Sequence, residues 1–241
     1  MAGARLLRAF AATHPDAVFA EIGANDGESH DHLRPHIRAR NWRGVMVEPV
    51  PYVFERLRAN YGDLDRVALE NAAIAEHDGE LPFWHLPDAS GDADAGLPDW
   101  YHALGSLSRE AVLANADIVP GLEERLVSTP VPCLTLASLL ERHGIDRLDL
   151  IAVDTEGHDA VVVGQVDLER VRPRLILYEH YHLGEEERDA CRGRLEAAGY
   201  EMLEEHFDTF ALDPLPERLT TTFRRLTPAF APVTAAEEHG R

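Results

Sequence analysis

Short apolar runs that each stop at a carboxylate constrain this chain more than any other feature. Residues 17–20, Ala-Val-Phe-Ala, end at Glu21 and break into the loop Ile22-Gly23-Ala24-Asn25-Asp26-Gly27. Further on, Gly44-Val45-Met46-Val47 reads as a second buried strand with Glu48 at its C-terminal end. In a doubly wound α/β sheet, ligands bind beyond the carboxyl ends of the strands. Small residues there meet an adenosine-type ligand, and a carboxylate after the second strand meets ribose hydroxyls. Glycine serves such a loop because a Cβ would hold the backbone away from the ligand.

The same alternation continues along the chain. Residues 26–40 read as a first crossover helix, with Pro35 bending it or marking its last turn. Its histidines, His30, His32 and His36, read as solvated helix residues, since no second ligand cluster accompanies them. A helix over 52–61 carries Val53, Phe54 and Leu57 at core-facing spacing. Residues 67–75 form a third strand and the turn after it, and 81–86 a short added strand. Thr135 caps a helix that Gly144 ends. Strands follow at 148–154 and 174–179, a helix over 185–198, and a closing antiparallel pair at 200–203 and 209–212. Alternating strands and helices predict an α/β three-layer sandwich with a mostly parallel sheet. Glu21, Glu48, Asp154 and Glu179 then fall on one edge.

A single domain over 1–226 accommodates all of this, with a loop insertion near 87–105 and a flexible tail over 227–241. The insertion loses periodicity around Trp100, Tyr101 and His102, as a lid, a binding loop or an anchored surface loop would. The net charge of −20 over 241 residues argues against nucleic-acid and anionic-membrane partners, which need clustered basic residues. Neither cysteine, Cys133 or Cys191, has metal-ligand spacing, and both read as reduced thiols of a cytoplasmic protein. No apolar stretch has the length of a signal-peptide core or a membrane span.

The loop at residues 21–27 lacks G-x-G-x-x-G and is flanked by acids. A pyrophosphate would be repelled by Glu21 and Asp26, whereas a sulfonium or an amino group would not. That charge logic favours S-adenosylmethionine over a nicotinamide dinucleotide. E-I-G-A-N-D-G, then V-M-V-E-P, then V-D-T-E-G-H-D and a strand ending in E-H together resemble the FkbM family of methyltransferases over roughly residues 17–183. The resemblance implies a Rossmann-like class I methyltransferase fold, whose seven-stranded sheet ends in an antiparallel hairpin. It also implies O-methylation of a hydroxyl on a sugar or secondary metabolite. One position departs from the family, which commonly has Lys two residues before the Asp of D-x-E-G, where this chain has Ala152.

The resemblance and the sheet-edge geometry assign Gly23, Ala24, Asn25 and Gly27 to the cofactor loop. They put Glu21 near the amino-acid tail and Glu48 on the ribose, with Ala72 and Ala73 flanking the adenine or serving the core. Methyl transfer is an in-line displacement that depends on positioning, and an alcohol nucleophile also benefits from a base or a metal. Asp154, His180 and Glu156 are the catalytic candidates, with His180 or Asp154 as the proton acceptor. His158, Glu179, His182, Trp100 and Tyr101 are the substrate candidates, and the sequence does not choose between His180 and His182. Asp154, Glu156, Glu179 and His180 also offer a ligand set for Mg²⁺ or Mn²⁺, an alternative not favoured over a metal-free site. A catalytically inactive binding or assembly module and a nicotinamide-dependent oxidoreductase are the competing functions. The expected partner is a small molecule, and oligomeric state is unreadable.

Overall fold

The computed structural model describes residues 2–88, 97–98 and 100–213. Five strands run parallel at the centre: β1 (Val18–Ile22), β2 (Arg43–Val47), β3 (Val67–Glu70), β8 (Leu150–Val153) and β9 (Leu175–Glu179). A hairpin of β10 (Glu201–Glu205) and β11 (Asp208–Leu212) closes one edge, β11 lying antiparallel to β9. The order across the sheet is β10-β11-β9-β8-β1-β2-β3.

Period-two alternation sorts the strand residues onto two faces. Phe19, Met46, Leu150 and Leu175 pack with α1 (Ala2–Thr13), α2 (Arg34–Ala39) and α3 (Pro51–Tyr61). Ala20, Val45, Ile151 and Ile176 face α6 (Leu136–Arg142), α7 (Asp159–Gln165) and α8 (Glu185–Ala197). These are the three layers expected, with Thr135 capping α6 through its hydroxyl and Gly199 in the left-handed conformation after α8.

Two expectations are refined and one element is added. The helix expected over 26–40 is only Arg34–Ala39, because Asp26 and Asp31 accept backbone N–H groups two and three residues on and hold 26–33 in turns. Pro35 lies in the first turn of α2, where its missing N–H costs nothing. The strand expected at 81–86 belongs to a second sheet, which the loop insertion near 87–105 interrupts. β4 (Ala73–Ile74), β5 (Gly79–His85), β6 (Gly105–Ser106) and β7 (Val127–Leu134) form that sheet in the order β4-β7-β5-β6. With α4 (Arg109–Leu113), α5 (Leu122–Arg125) and a 3₁₀ turn at Tyr101–Ala103, this cap carries its own apolar clusters around Phe83, Val131, Leu104 and Val119. The added element is α1, whose Leu6, Leu7 and Phe10 are buried against the sheet. Its first N–H groups are met by the carboxylate of Glu205, 2.6 Å from both Ala2 N and Gly3 N.

The expected tail over 227–241 and part of the insertion, residues 89–96 and 99, lie outside the described residues. No described helix is long and apolar enough to cross a membrane. Both cysteines are free and buried.

Candidate active site

A cavity of about 550 Å³ opens where β1, β2, β8 and β9 end, roofed by the cap through Phe83, Leu104 and Leu107. Its volume lies within the roughly 300–1,000 Å³ typical of small-molecule sites. Glu21, Glu48, Asp154 and Glu179 all line it, each delivered by the end of a different strand. No lysine or arginine lines it among the described residues. The chain in fact contains no lysine, and all 23 of its basic residues are arginines.

The β1 loop is shaped by its neighbours. Gly23 and Ala24 both donate their N–H groups to the Val47 carbonyl, tying the loop to β2. Gly23 has φ +82°, and a Cβ there would stand 1.7 Å from the Asp154 carbonyl oxygen. Glycine is therefore demanded by the β8 backbone as well as by any ligand. Glu48 accepts Val50 N–H at 2.7 Å and Asn25 N–H at 3.1 Å, so one carboxylate joins the ends of β1 and β2. Burial raises its pKa to about 7, against the lowering effect of those two bonds.

Glu21 is 8% exposed and shares a hydrogen bond with Asp31. Its Oε2 is buried without a partner. Burial first, and then the Asp31 charge, raise its pKa well above the ordinary carboxylate range. Asp154 is accessible, but through the cavity that it lines. Protein crowds it closely enough that desolvation and then the charges of Glu156, Asp159 and Asp208 push its pKa up strongly. Glu179 is pushed to about 10, first by burial and then by Asp154 and Glu156.

The expected residues divide by location. Gly23, Ala24, Asn25, Ala72 and Ala73 line the cavity with the acids, as do Glu156, His158, His182 and Trp100. Gly27 does not; it packs behind the loop, where a Cβ would collide with Leu57 and Tyr61. Tyr101 is buried inside the cap, beside Leu104 and Val119. His180 is also displaced from its expected role. It is buried beneath the hairpin, its Nδ1 2.8 Å from Thr209 Oγ1 and its N–H donating to the Phe207 carbonyl. His182 lines the cavity instead, its Nε2 3.0 Å from Glu156 Oε2. The strand ends at Glu179, and the turn that follows swings the second histidine inward and the first one under β11.

Sequence reasoning missed several lining residues. Asp31 and Asp208 carry charge to the cavity, Tyr181 and Phe207 form a ring pair 4.7 Å apart at its rim, and Asn115 and Ile118 come from the cap. Asp31 falls in the stretch whose pattern is helix-like, and the others are brought in by long-range packing that no local pattern announces.

The strand order, the hairpin edge and a cavity of carboxylates at the strand ends define a Rossmann-like methyltransferase fold. A solved FkbM methyltransferase from Methylobacillus flagellatus KT superposes with a TM-score of 0.51 over 83% of this chain and 44% of its own, at 13% identity. The chain belongs to the FkbM methyltransferase family: the model of the methyltransferase FkbM domain matches residues 21–206. It is also 37% identical over 178 residues to the 2-O-methyltransferase NoeI of Sinorhizobium fredii (strain NBRC 101917 / NGR234), over 69% of this chain. The chain spans 64% of NoeI, less than two thirds of that relative's length.

Proposed function

We propose that this chain is an S-adenosylmethionine-dependent O-methyltransferase acting on a hydroxyl of an uncharged acceptor, a sugar or a hydroxylated secondary metabolite. One observation carries the reading: four strand-end carboxylates surround one cavity that no described lysine or arginine lines. Such a surface welcomes a sulfonium and an ammonium and repels phosphate, which weighs against both a dinucleotide cofactor and a phosphorylated acceptor. Ala152 sits in the cavity wall where the family commonly has Lys, and no described lysine or arginine lines the cavity in its stead.

The residues fit the cofactor. Glu48 is oriented by two backbone N–H groups toward a diol, and the unpartnered Oε2 of Glu21 suits an ammonium group. Ala72 and Ala73 leave a flat apolar wall for adenine. When bound, S-adenosylmethionine supplies an activated methyl group on a cationic sulfur.

Asp154 is the proton acceptor in this reading. Desolvation, and then the neighbouring acids, raise its proton affinity, which moves a carboxylate toward the basicity useful against a hydroxyl. The cap roofs the cavity through Phe83, Leu104 and Leu107, and Trp100 and His102 line it as well. The test is transfer of labelled methyl from S-adenosylmethionine to neutral and phosphorylated sugars. Asp154→Asn should lower turnover on neutral acceptors about 10²- to 10⁴-fold while leaving cofactor binding largely intact. Undiminished turnover would remove Asp154 from the role.

A further inference from the structure

We infer that Glu156, Glu179 and His182 form a divalent-cation site in the acceptor half of the cavity. Glu156 lies on the loop after β8, Glu179 ends β9, and His182 follows three residues later. One ligating atom from each lies within 4.8 Å of the other two. His182 Nε2 is 3.0 Å from Glu156 Oε2 and 3.9 Å from Glu179 Oε2. Metal–ligand bonds of about 2.1 Å put adjacent corners of an octahedron about 3.0 Å apart, so the first pair already has the required edge. The second needs only a small inward shift of Glu179.

The second, independent sign is an orphaned atom. Glu179 Oε2 is buried and has no hydrogen-bond donor. His182 Nε2, 3.0 Å from Glu156, leaves that Glu179 oxygen without a hydrogen-bond donor, a costly arrangement among so many acids. One cation between the three atoms meets all of them at once. No described arginine lines the cavity to do the same, and Asp154 and Asp208 add further negative charge nearby.

Two carboxylates and one imidazole suit Mn²⁺ better than Mg²⁺, which prefers oxygen alone. Three protein ligands leave three octahedral positions for water or for acceptor hydroxyl oxygens. This ligand set differs from the expected Asp154, Glu156, Glu179 and His180: Asp154 is not among the three clustered ligands, and His182 replaces His180, which is bonded to Thr209. The use of the ion on an acceptor rests on the methyl-transfer reading; binding of the ion does not.

The experiment titrates chelator-stripped protein with MnCl₂ without methyl donor, following free Mn²⁺ by electron paramagnetic resonance and stability by thermal melting. One Mn²⁺ should bind per chain and raise the melting temperature. Glu156→Gln, Glu179→Gln and His182→Gln should each weaken binding at least about tenfold, since even residues that only orient metal ligands cost that much. Glu76→Gln, on the exposed partner of His158, should bind as the parent does. Removing a crowded acid should also leave Glu179→Gln at least as stable as the parent in metal-free buffer, so lost binding cannot be put down to unfolding. No Mn²⁺ uptake, or uptake unchanged in all three variants, would overturn the site. Methyl transfer persisting after exhaustive chelation with no Mn²⁺ uptake would overturn it and leave the methyltransferase reading intact. Specific Mn²⁺ uptake without any affinity for S-adenosylmethionine would do the reverse.

Discussion

At the scale of single residues, the strand-end carboxylates were legible because burial and charge conflict so sharply. An acid that ends an apolar run either has a partner or serves a ligand, and Glu21, Glu48, Asp154 and Glu179 do line one cavity. Gly23 was legible as a glycine, but the full reason for it was not. Its place is fixed by the Asp154 carbonyl, contributed from far along the chain, and no local pattern encodes that approach. Gly23→Ala combines a backbone clash with a positive φ, so it should destabilise the fold by about 2 kcal/mol or more in urea denaturation. A loss under half that size would mean that the β1 loop yields and that Gly23 is kept for the ligand alone. The exchange of His180 for His182 has a similar origin. In extended chain the two would share a side; the turn over residues 181–183, closed by Leu183 N–H on the His180 carbonyl, separates them, and β11 covers the first.

Among the elements, strands and helices with a strong period were read within a few residues, and the misses have physical causes. The turns at 26–33 hide in a helix-like pattern because side-chain acceptors on Asp26 and Asp31 outcompete the helical ladder. The strand at 81–86 was legible, but the sheet it belongs to was not, because its pairing is non-local: β5 lies against β7 from Gly79–Cys133 to His85–Val127 across the whole insertion. Leu6, Leu7 and Phe10 carry helical spacing, but over only one turn, too short a repeat to announce α1 by itself. Docking of α1 rests on that apolar face and on Glu205 beneath its first turn. Phe10 is fully buried, so Phe10→Ala should cost about 3–5 kcal/mol by chemical denaturation. A cost below about 1 kcal/mol would show that α1 is dispensable to the core.

For the whole molecule, the acidity seen in composition is concentrated where it has consequences for pH. Glu48 moves from 4.5 to about 7 and Asp159 from 3.8 to about 6, both mainly through burial. Raised folded-state values mean that the native state holds more protons than the unfolded chain across this interval. Their stabilising contribution is therefore present below about pH 4 and is lost as the pH climbs through 6 and 7. In metal- and cofactor-free buffer, melting temperature should decline from pH 5 to pH 8, and Glu48→Gln should flatten part of that slope. A rise over the same interval would contradict the assigned burial of these acids. The central claim, that the carboxylate-lined cavity receives S-adenosylmethionine, is tested most directly by calorimetric titration with that cofactor and S-adenosylhomocysteine, beside Glu48→Ala. The account predicts micromolar binding of both ligands by the parent protein and its loss in a folded Glu48→Ala variant. Failure of well-folded parent protein to bind either ligand would contradict the account and leave only the fold and the family.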